Sequence, residues 1–454
     1  MSTVKENLEI INKIATLVKE NGGETYFVGG CVRDELLKVE CKDYDIEVYN
    51  IEPEKLEKLL DQVGTRIEIG KAFSVYNLKG YSVDIALPRR EYAIGDGHKD
   101  FTIVPDPFIS ARDAAIRRDF TVNALMKNVI TNEIIDHFGG LDDLKNKKIR
   151  HVNDRSFAED PLRVFRAAQF AARFEFEIVP ETQKLCSAMK IDALPKERVF
   201  DELRKALLKA NRPSIFFEEL RKMNLLDRFF PELKALIGIE QNPKHHSEGD
   251  VWVHTMMVLD ECAKRRHLVK NPIGFMLSAL VHDFGKAVCT EIVNGEIHAY
   301  NHETIGIPIA ETFLNRITSE KNLIKYVLNL SELHMKPNVL AGAKSSVKST
   351  NKLFDSAVEP LDLIHLAVAD SLGKTAPRPY IPTEPFLMER LAVYEEMMAK
   401  PFVMGKDLVE AGLTPDKNFS EILAYAHKLR LAGCDKNSAL KQTLAYARKF
   451  YGKK

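Results

Sequence analysis

The feature that most constrains this chain is a pair of glycines set between an apolar run and an amphipathic one. Tyr26-Phe27-Val28 is followed by Gly29-Gly30 and then by Cys31-Val32-Arg33-Asp34. The apolar run reads as a short strand, the glycines let the backbone turn closely, and Arg33 falls in the first turn of the next segment. Backbone N–H groups at such a helix start favour an anion, and Arg33 adds a planar set of donors. Downstream, Asp43 and Asp45 alternate within Lys42-Asp43-Tyr44-Asp45-Ile46-Glu47-Val48, so both carboxylates project from one strand face. Two carboxylates opposite a glycine turn suit Mg²⁺ and the phosphates of a nucleoside triphosphate. Either half alone is common on protein surfaces; the combination points to a site.

A chain of 454 residues is too long for one ordinary core and implies roughly two to four domains. Its 65 basic and 65 acidic residues cancel. That excludes a protein coating nucleic acid by bulk charge, but not a local basic patch meeting RNA. Cysteines at 31, 41, 186, 262, 289 and 434 form neither a metal-ligand spacing nor a disulfide framework, which fits a reducing cytosol. No stretch is long and apolar enough to span a bilayer and the N-terminus has no cleavage-like signal, so the expectation is cytoplasmic, with no membrane partner.

Along the chain, residues 4–19 read as an amphipathic helix. Residues 25–87 read as mixed α/β, with strands at 25–28, 44–49, 73–78 and 81–87 and helices near 32–38 and 53–62. Asp84 interrupts Val83-Asp84-Ile85; it either completes the metal site or lies exposed on an edge strand. Residues 88–110, rich in proline, glycine and charge, read as a long loop beside a substrate or as a solvated excursion. Ala114–Leu125 reads as a helix carrying Arg118, a fork for phosphate oxygens, and Asn123, a neutral donor–acceptor pair. Residues 126–150 read as a hairpin and a Gly-Gly turn that close the first domain.

From about 155 to 235 the pattern is helical. Pro161 favours a first turn, and Asp160, Arg163, Arg166 and Gln169 recur at every third position as one polar ridge. An Asp–Arg pair held there offers the acceptor and donors needed to read a base edge; an ordinary intrahelical ion pair gives the same pattern. Lys244–Asp250 reads as a polar linker. Beyond it, His254 lies on a helix, His282-Asp283 ends the apolar run Phe275–Val281, His298, His302 and His334 follow, and Asp370 comes later. His254, His282, Asp283 and Asp370 make a mixed nitrogen–oxygen metal set, or a buried His–Asp pair without metal. Pro377–Pro382 reads as a hinge, and helices at about 385–399, 405–411, 418–429 and 437–451 finish the chain. The last offers Lys441 and Arg448 either to an RNA backbone or to solvent.

Together Gly29-Gly30-x-Val32-Arg33-Asp34, Asp43-x-Asp45, Arg117-Arg118-Asp119-Phe120-Thr121-x-Asn123-Ala124, Glu159-Asp160-Pro161-Leu162-Arg163 and Glu197-Arg198 resemble the class of tRNA nucleotidyltransferases that includes CCA-adding enzymes and bacterial poly(A) polymerases. His254 … His282-Asp283 … Asp370 resembles an HD phosphohydrolase domain. The resemblance implies an α+β protein: a polymerase beta-like head with a mixed sheet at 1–150, a helical neck at 151–240, an HD-like region at 245–375 and a helical tail at 376–454. It implies Mg²⁺ on the catalytic Asp43 and Asp45, and a nucleotide site formed by Gly29, Gly30, Arg33, Arg118, Asn123, Asp160, Arg163, Arg166 and Gln169. Asp160 and Arg163 would pair with the base, braced by Glu197 and Arg198, while Gln169 stands where the family often has arginine. The 89–104 loop would move between C and A addition. Implied substrates are CTP, ATP and the tRNA acceptor arm, with a second divalent metal in the HD-like region serving phosphoester or 2′,3′-cyclic phosphate hydrolysis. Readings left open are A-only, CC-only or poly(A) addition, a chain that is chiefly a hydrolase, and a non-catalytic RNA-binding protein.

Overall fold

The computed structural model describes residues 3–41, 43–68, 75–93, 101–244, 246–375 and 383–451. Lys42, His245, the 377–382 hinge, Lys453, Lys454, residues 73–74 of one expected strand and residues 94–100 of the expected loop lie outside them. The chain divides into two compact units, Met1–Glu202 with Ile215–Leu225, and Leu203–Ser214 with Leu226–Lys454.

The first unit opens with α1 (Val4–Glu20). Thr3 Oγ1 accepts from Glu6 N at 3.2 Å and Thr3 N donates to Glu6 Oε2 at 2.6 Å, so two otherwise orphaned donors are satisfied at its start. Ile10, Ile11, Ile14, Ala15 and Val18 form its buried stripe, each large side chain contributing about 1.5–3 kcal/mol by leaving water. Then come β1 (Glu24–Val28), α2 (Gly30–Leu36), β2 (Tyr44–Tyr49), α3 (Pro53–Asp61), β3 (Arg66–Glu68), β4 (Val75–Leu78) and β5 (Val83–Ala86). With β8 (Met126–Asn128) and β9 (Ile134–Ile135) the strands form one sheet in the order β3-β4-β5-β2-β1-β8-β9. Its one parallel pairing, β2 with β5, sets Asp45 opposite Asp84. Ile46 and Val48 on β2 and Val83 and Ile85 on β5 are buried against α1 and α3 residues, which turns Asp43, Asp45 and Asp84 to the exposed face.

Two expectations change here. The segment expected to be a loop at 88–110 contains an antiparallel pair, β6 (Arg89–Ala93) with β7 (Phe101–Pro105); strands of five residues are too short to show a period. The expected helix at 114–125 is α4 (Ala111–Ala115), a turn, and a 3₁₀ turn at Thr121–Asn123. Phe120 adopts an extended backbone and bridges His151, which takes it out of helical geometry.

In sequence follow α5 (Gly140–Lys145), β10 (Lys148–Ile149), α6 (Asp154–Ala158), α7 (Leu162–Phe174), β11 (Glu177–Ile178), α8 (Pro180–Ala188), α9 (Lys196–Lys209), α10 (Ser214–Lys222), α11 (Leu226–Phe229) and α12 (Pro231–Lys234). The short parallel pair β10–β11 interrupts the stretch expected to be wholly helical.

The second unit is almost all helix: α13 (Val251–Arg265), α14 (Pro272–Val281), α15 (Lys286–Cys289), α16 (His302–Ile317), α17 (Lys321–Leu333), α18 (Met335–Gly342), α19 (Val347–Ser356), α20 (Pro360–Leu372), α21 (Thr383–Ala399), α22 (Gly405–Glu410), α23 (Phe419–Leu431) and α24 (Lys436–Tyr451), plus the hairpin β12 (Glu291–Val293)–β13 (Glu296–His298). Its core includes Trp252, Phe275, Phe284 and Phe313, all fully buried. Gly285 seats the end of α14 on α16: a Cβ there would lie 2.1 Å from the carbonyl of His302. The architecture is thus the expected α+β arrangement, a mixed sheet with helices followed by predominantly helical regions. Among the described residues, no helix is long and apolar enough to cross a membrane.

Candidate functional sites

In the first unit, Gly29 ends β1 with φ +72°, a conformation that favours glycine. A Cβ at Gly29 would lie 3.0 Å from Arg118 Nη1 and 4.0 Å from Asp45 Oδ2, so the glycine turn, the guanidinium and the catalytic-candidate carboxylate border one point. Arg118 Nη2 donates to Glu47 Oε1 at 2.8 Å. Burial pushes the Asp45 carboxyl up to about 6; Asp84 and Asp43 push the same way and Arg118 opposes them. Carboxylates gathered with too little positive charge, and offering only oxygen, fit a hard divalent cation such as Mg²⁺. Asp84 therefore stands beside the proposed metal site, not on a remote edge.

Arg33 and Asn123 are placed differently from the expectation. Arg33 is buried: its Nε and Nη2 donate to Asp34 Oδ1 at 2.9 and 2.7 Å, its Nη1 donates to Asn123 Oδ1, and its plane lies 5.1 and 4.7 Å from the Phe170 and Phe174 rings. These contacts engage its donors within the protein. Asn123 passes the contact on, Nδ2 to Asp119 Oδ1 at 2.9 Å, and Asp119 Oδ2 accepts from Arg166 Nε at 2.8 Å. Burial opposes ionisation of Asp119, but Arg166 and Asn123 hold its pKa below the ordinary carboxylate value.

The ridge on α7 is also rearranged. Asp160 pairs with Arg198 at 3.1 Å, and its Oδ1 accepts from Leu162 N at the helix start. Arg163 donates to the carbonyls of Ser156 at 2.6 Å and Arg117 at 2.5 Å. Spacing of three residues puts side chains on one face without fixing their partners, and carbonyls at a helix entrance compete well for a guanidinium. Gln169 is buried, and its Nε2 has no hydrogen-bond partner among the described residues.

In the second unit, His254 (α13), His282 and Asp283 (after α14) and Asp370 (α20) converge, all buried. His254 Nε2 is 3.1 Å from Asp370 Oδ1 and 3.6 Å from Asp283 Oδ2, and His282 Nε2 is 3.2 Å from Asp283 Oδ2. The other Asp283 oxygen faces His302 at 3.2 Å and His334 at 3.9 Å. In His282, His302 and His334 the Nδ1 sits 2.7, 2.9 and 2.6 Å from the carbonyl three residues earlier. An Nδ1–H donating there leaves Nε2 as the inward-facing ligand atom. His282 Nε2 and both Asp283 oxygens make no well-aligned hydrogen bond among the described residues, although ion pairs to Lys286 and the histidines surround Asp283, a geometry open to a shared cation. Lys286 Nζ approaches Asp283 Oδ2 to 2.7 Å, and a cavity of about 230 Å³ opens onto the cluster. The mixed donor set fits a borderline divalent metal.

The sequence reading missed two members of this cluster. The segment expected to be a linker carries Glu248, whose Oε1 lies 3.1 Å from His254 Nδ1 and 2.8 Å from His246 Nδ1. An acidic residue six before a candidate ligand histidine, in an Asp-capped helix entrance, was the available signal.

A family profile described as "Poly A polymerase head domain" matches residues 25–150, and one described as "Probable RNA and SrmB- binding site of polymerase A" matches residues 175–237. The chain is 37% identical over 315 residues to a Nitrosospira multiformis protein named "Multifunctional CCA protein", covering 68% of this chain and 73% of the relative. A Mannheimia succiniciproducens protein of the same name is 36% identical over 371 residues, covering 78% and 84%. Among solved structures, a CCA-adding enzyme complexed with ATP shares the fold with a TM-score of 0.68 at 18% identity, covering 100% of this chain and 96% of that one. The Thermotoga maritima CCA-adding enzyme complexed with tRNA does so with 0.64 at 19%, covering 98% and 96%.

Proposed function

The chain belongs to the CCA-adding enzyme/poly(A) polymerase family, and on that premise we propose that it adds CMP, CMP and AMP, from CTP and ATP, to the 3′ end of tRNA with release of pyrophosphate. The observation that supports this most is the meeting of the Gly29 turn, Arg118 and Asp45 at one point, beside Asp84. In this reading the Gly29–Gly30 backbone and Arg118 bind the triphosphate, and Asp43 and Asp45 hold Mg²⁺. Bound there, the metal would supply Lewis-acid polarisation and neutralise phosphate charge.

Base choice falls to α7. Asp160 rests on Arg198 and Arg163 on two carbonyls; an incoming base edge would exchange those partners for its own. A good hydrogen-bonded pair discriminates by about 1–3 kcal/mol. The tRNA acceptor arm is read by shape and backbone, which suits a chain of zero formal charge. We place the activity in the cytoplasm and divide the chain into head 1–150, neck 151–240, HD-like region 245–375 and tail 376–454. Incubation with tRNAs lacking one, two or three terminal nucleotides, followed by end sequencing, tests this: restoration of CCA on all three is expected. Extension by A alone, by CC alone or by an adenosine tract overturns it in favour of the corresponding narrower enzyme.

The convergence of buried histidine and aspartate ligand atoms around Asp283 favours a second activity on the same chain. In this reading His254, His282, Asp283 and Asp370 would hold a divalent metal, which would activate water for hydrolysis of phosphate esters, including 2′,3′-cyclic phosphates at damaged RNA ends. The expected result for His282→Ala with Asp283→Ala is loss of bound metal and of phosphodiesterase activity; unchanged metal content sinks this reading.

A further inference from the structure

Glu47 is a buried carboxylate on the strand face that carries Asp43 and Asp45, two residues beyond Asp45. Its surroundings differ from theirs. Oε1 accepts from Arg118 Nη2 at 2.8 Å and from Arg117 Nη2 at 3.4 Å, while Oε2 accepts from Tyr49 Oη at 2.8 Å. With its oxygens engaged in this way Glu47 is poorly placed to serve as a further metal ligand, and its strongest attachment is to Arg118.

What that attachment prevents is visible from the groups around Arg118. The acidic and phenolic groups acting on its guanidinium are Glu47, Tyr49, Asp45 and Asp119. Asp119 is held by Arg166 and Asn123, and Tyr49 by Glu47 itself. If the Glu47 charge is removed, Asp45 becomes the next strong acceptor, and it borders the same point beside Gly29 as Arg118 Nη1. A half-buried guanidinium seeks a carboxylate, since a charge-assisted pair is stronger than a neutral one. Arg118 would then settle on the carboxylate needed for the metal.

We propose that Glu47 is a positioning residue of the transferase site: it restrains Arg118 from closing onto Asp45, leaving that carboxylate free for a divalent cation and aiming Arg118 at the triphosphate turn. This rests on the reading of Asp43 and Asp45 as metal ligands. It predicts an unusual pattern in which removing a negative charge weakens cation binding locally, and removing the neighbouring arginine as well restores it. Loss of packing alone gives no such reversal.

The test measures Mn²⁺ binding to the full chain by electron paramagnetic resonance, without nucleotide. Asp43→Asn with Asp45→Asn defines the share of binding that belongs to the head, separating it from the His-rich cluster. Glu47→Gln, which keeps the shape and one acceptor, is expected to weaken that share by about tenfold or more. Glu47→Gln with Arg118→Gln is expected to return it to at least the wild-type level. Equal binding by wild type and Glu47→Gln overturns the proposal, as does a double variant as weak as the single one. If wild type has no Asp43- and Asp45-dependent component at all, the metal-site reading fails and takes this proposal with it.

Discussion

Asp45 and Asp84 stand opposite each other across the parallel pairing of β2 and β5, both on the exposed face of the sheet. Burial of the carboxyl group, with repulsion from Asp84 beside it, pushes the Asp45 carboxyl up to about 6. Above that value Asp45 carries its negative charge. Below it a proton competes with the cation, so head-specific Mn²⁺ affinity should fall about tenfold for each further pH unit. Asp84→Asn removes one source of the shift and should move the onset to lower pH; an onset unchanged by that substitution would mean that Asp84 does not act on Asp45.

The raised carboxyl also bears on stability. Its folded pKa lies above the ordinary value of 3.8, so the folded state holds the proton more tightly than the unfolded chain between about pH 4 and 6. Its contribution is favourable at low pH and lost as pH rises through 6. Asp45→Asn should therefore stabilise the metal-free chain at pH 7 relative to wild type, by denaturant unfolding, with the difference shrinking toward pH 4.

Arg33→Lys should act on stability before it acts on catalysis. Lysine cannot reproduce a fork to Asp34, a contact to Asn123 and a planar stack on Phe170 and Phe174 at once. A loss of about 3 kcal/mol in denaturant unfolding is expected, because Asp34 is left buried with a poorer partner. A variant of wild-type stability with a raised KM for nucleotide would instead restore Arg33 as a phosphate contact.

Glu248→Gln tests the residue hidden in the apparent linker. A carboxylate beside His254 Nδ1 orients the ring and raises its basicity, and losing such a partner usually costs about 10- to 100-fold in metal affinity. Dialysis against graded chelator, with metal content read by mass spectrometry, should show a loss of that size while head-dependent tRNA extension continues.

The sheet, and the placing of Gly29, Asp43 and Asp45 at its strand ends, were largely legible because their signals are local. The Gly29-Gly30 turn, the Asp43-x-Asp45 alternation and the apolar runs at 44–49 and 83–86 each carry their own period or punctuation. The tail helices, broken by Gly412 and Gly433, fell where the periodicity put them. What sequence did not reveal was which long-range partner each charged group takes. Arg33 resembles a phosphate donor until Phe170 and Phe174 are seen on its face, and Asp160 resembles a partner of Arg163 until Arg198 arrives from α9. Glu248 was illegible for a similar reason: its role depends on α13 turning His254 back toward it.

In the proposed function the carboxylates after the glycine turn, and not the histidine cluster, drive extension of tRNA ends. It is tested most directly by sequencing tRNA 3′ ends after incubation of CTP, ATP and Mg²⁺ with wild type and with Asp43→Ala, Asp45→Ala. Full CCA ends are expected from wild type and none from the variant, whose phosphoester hydrolysis persists. Extension by the variant at the wild-type rate would contradict it.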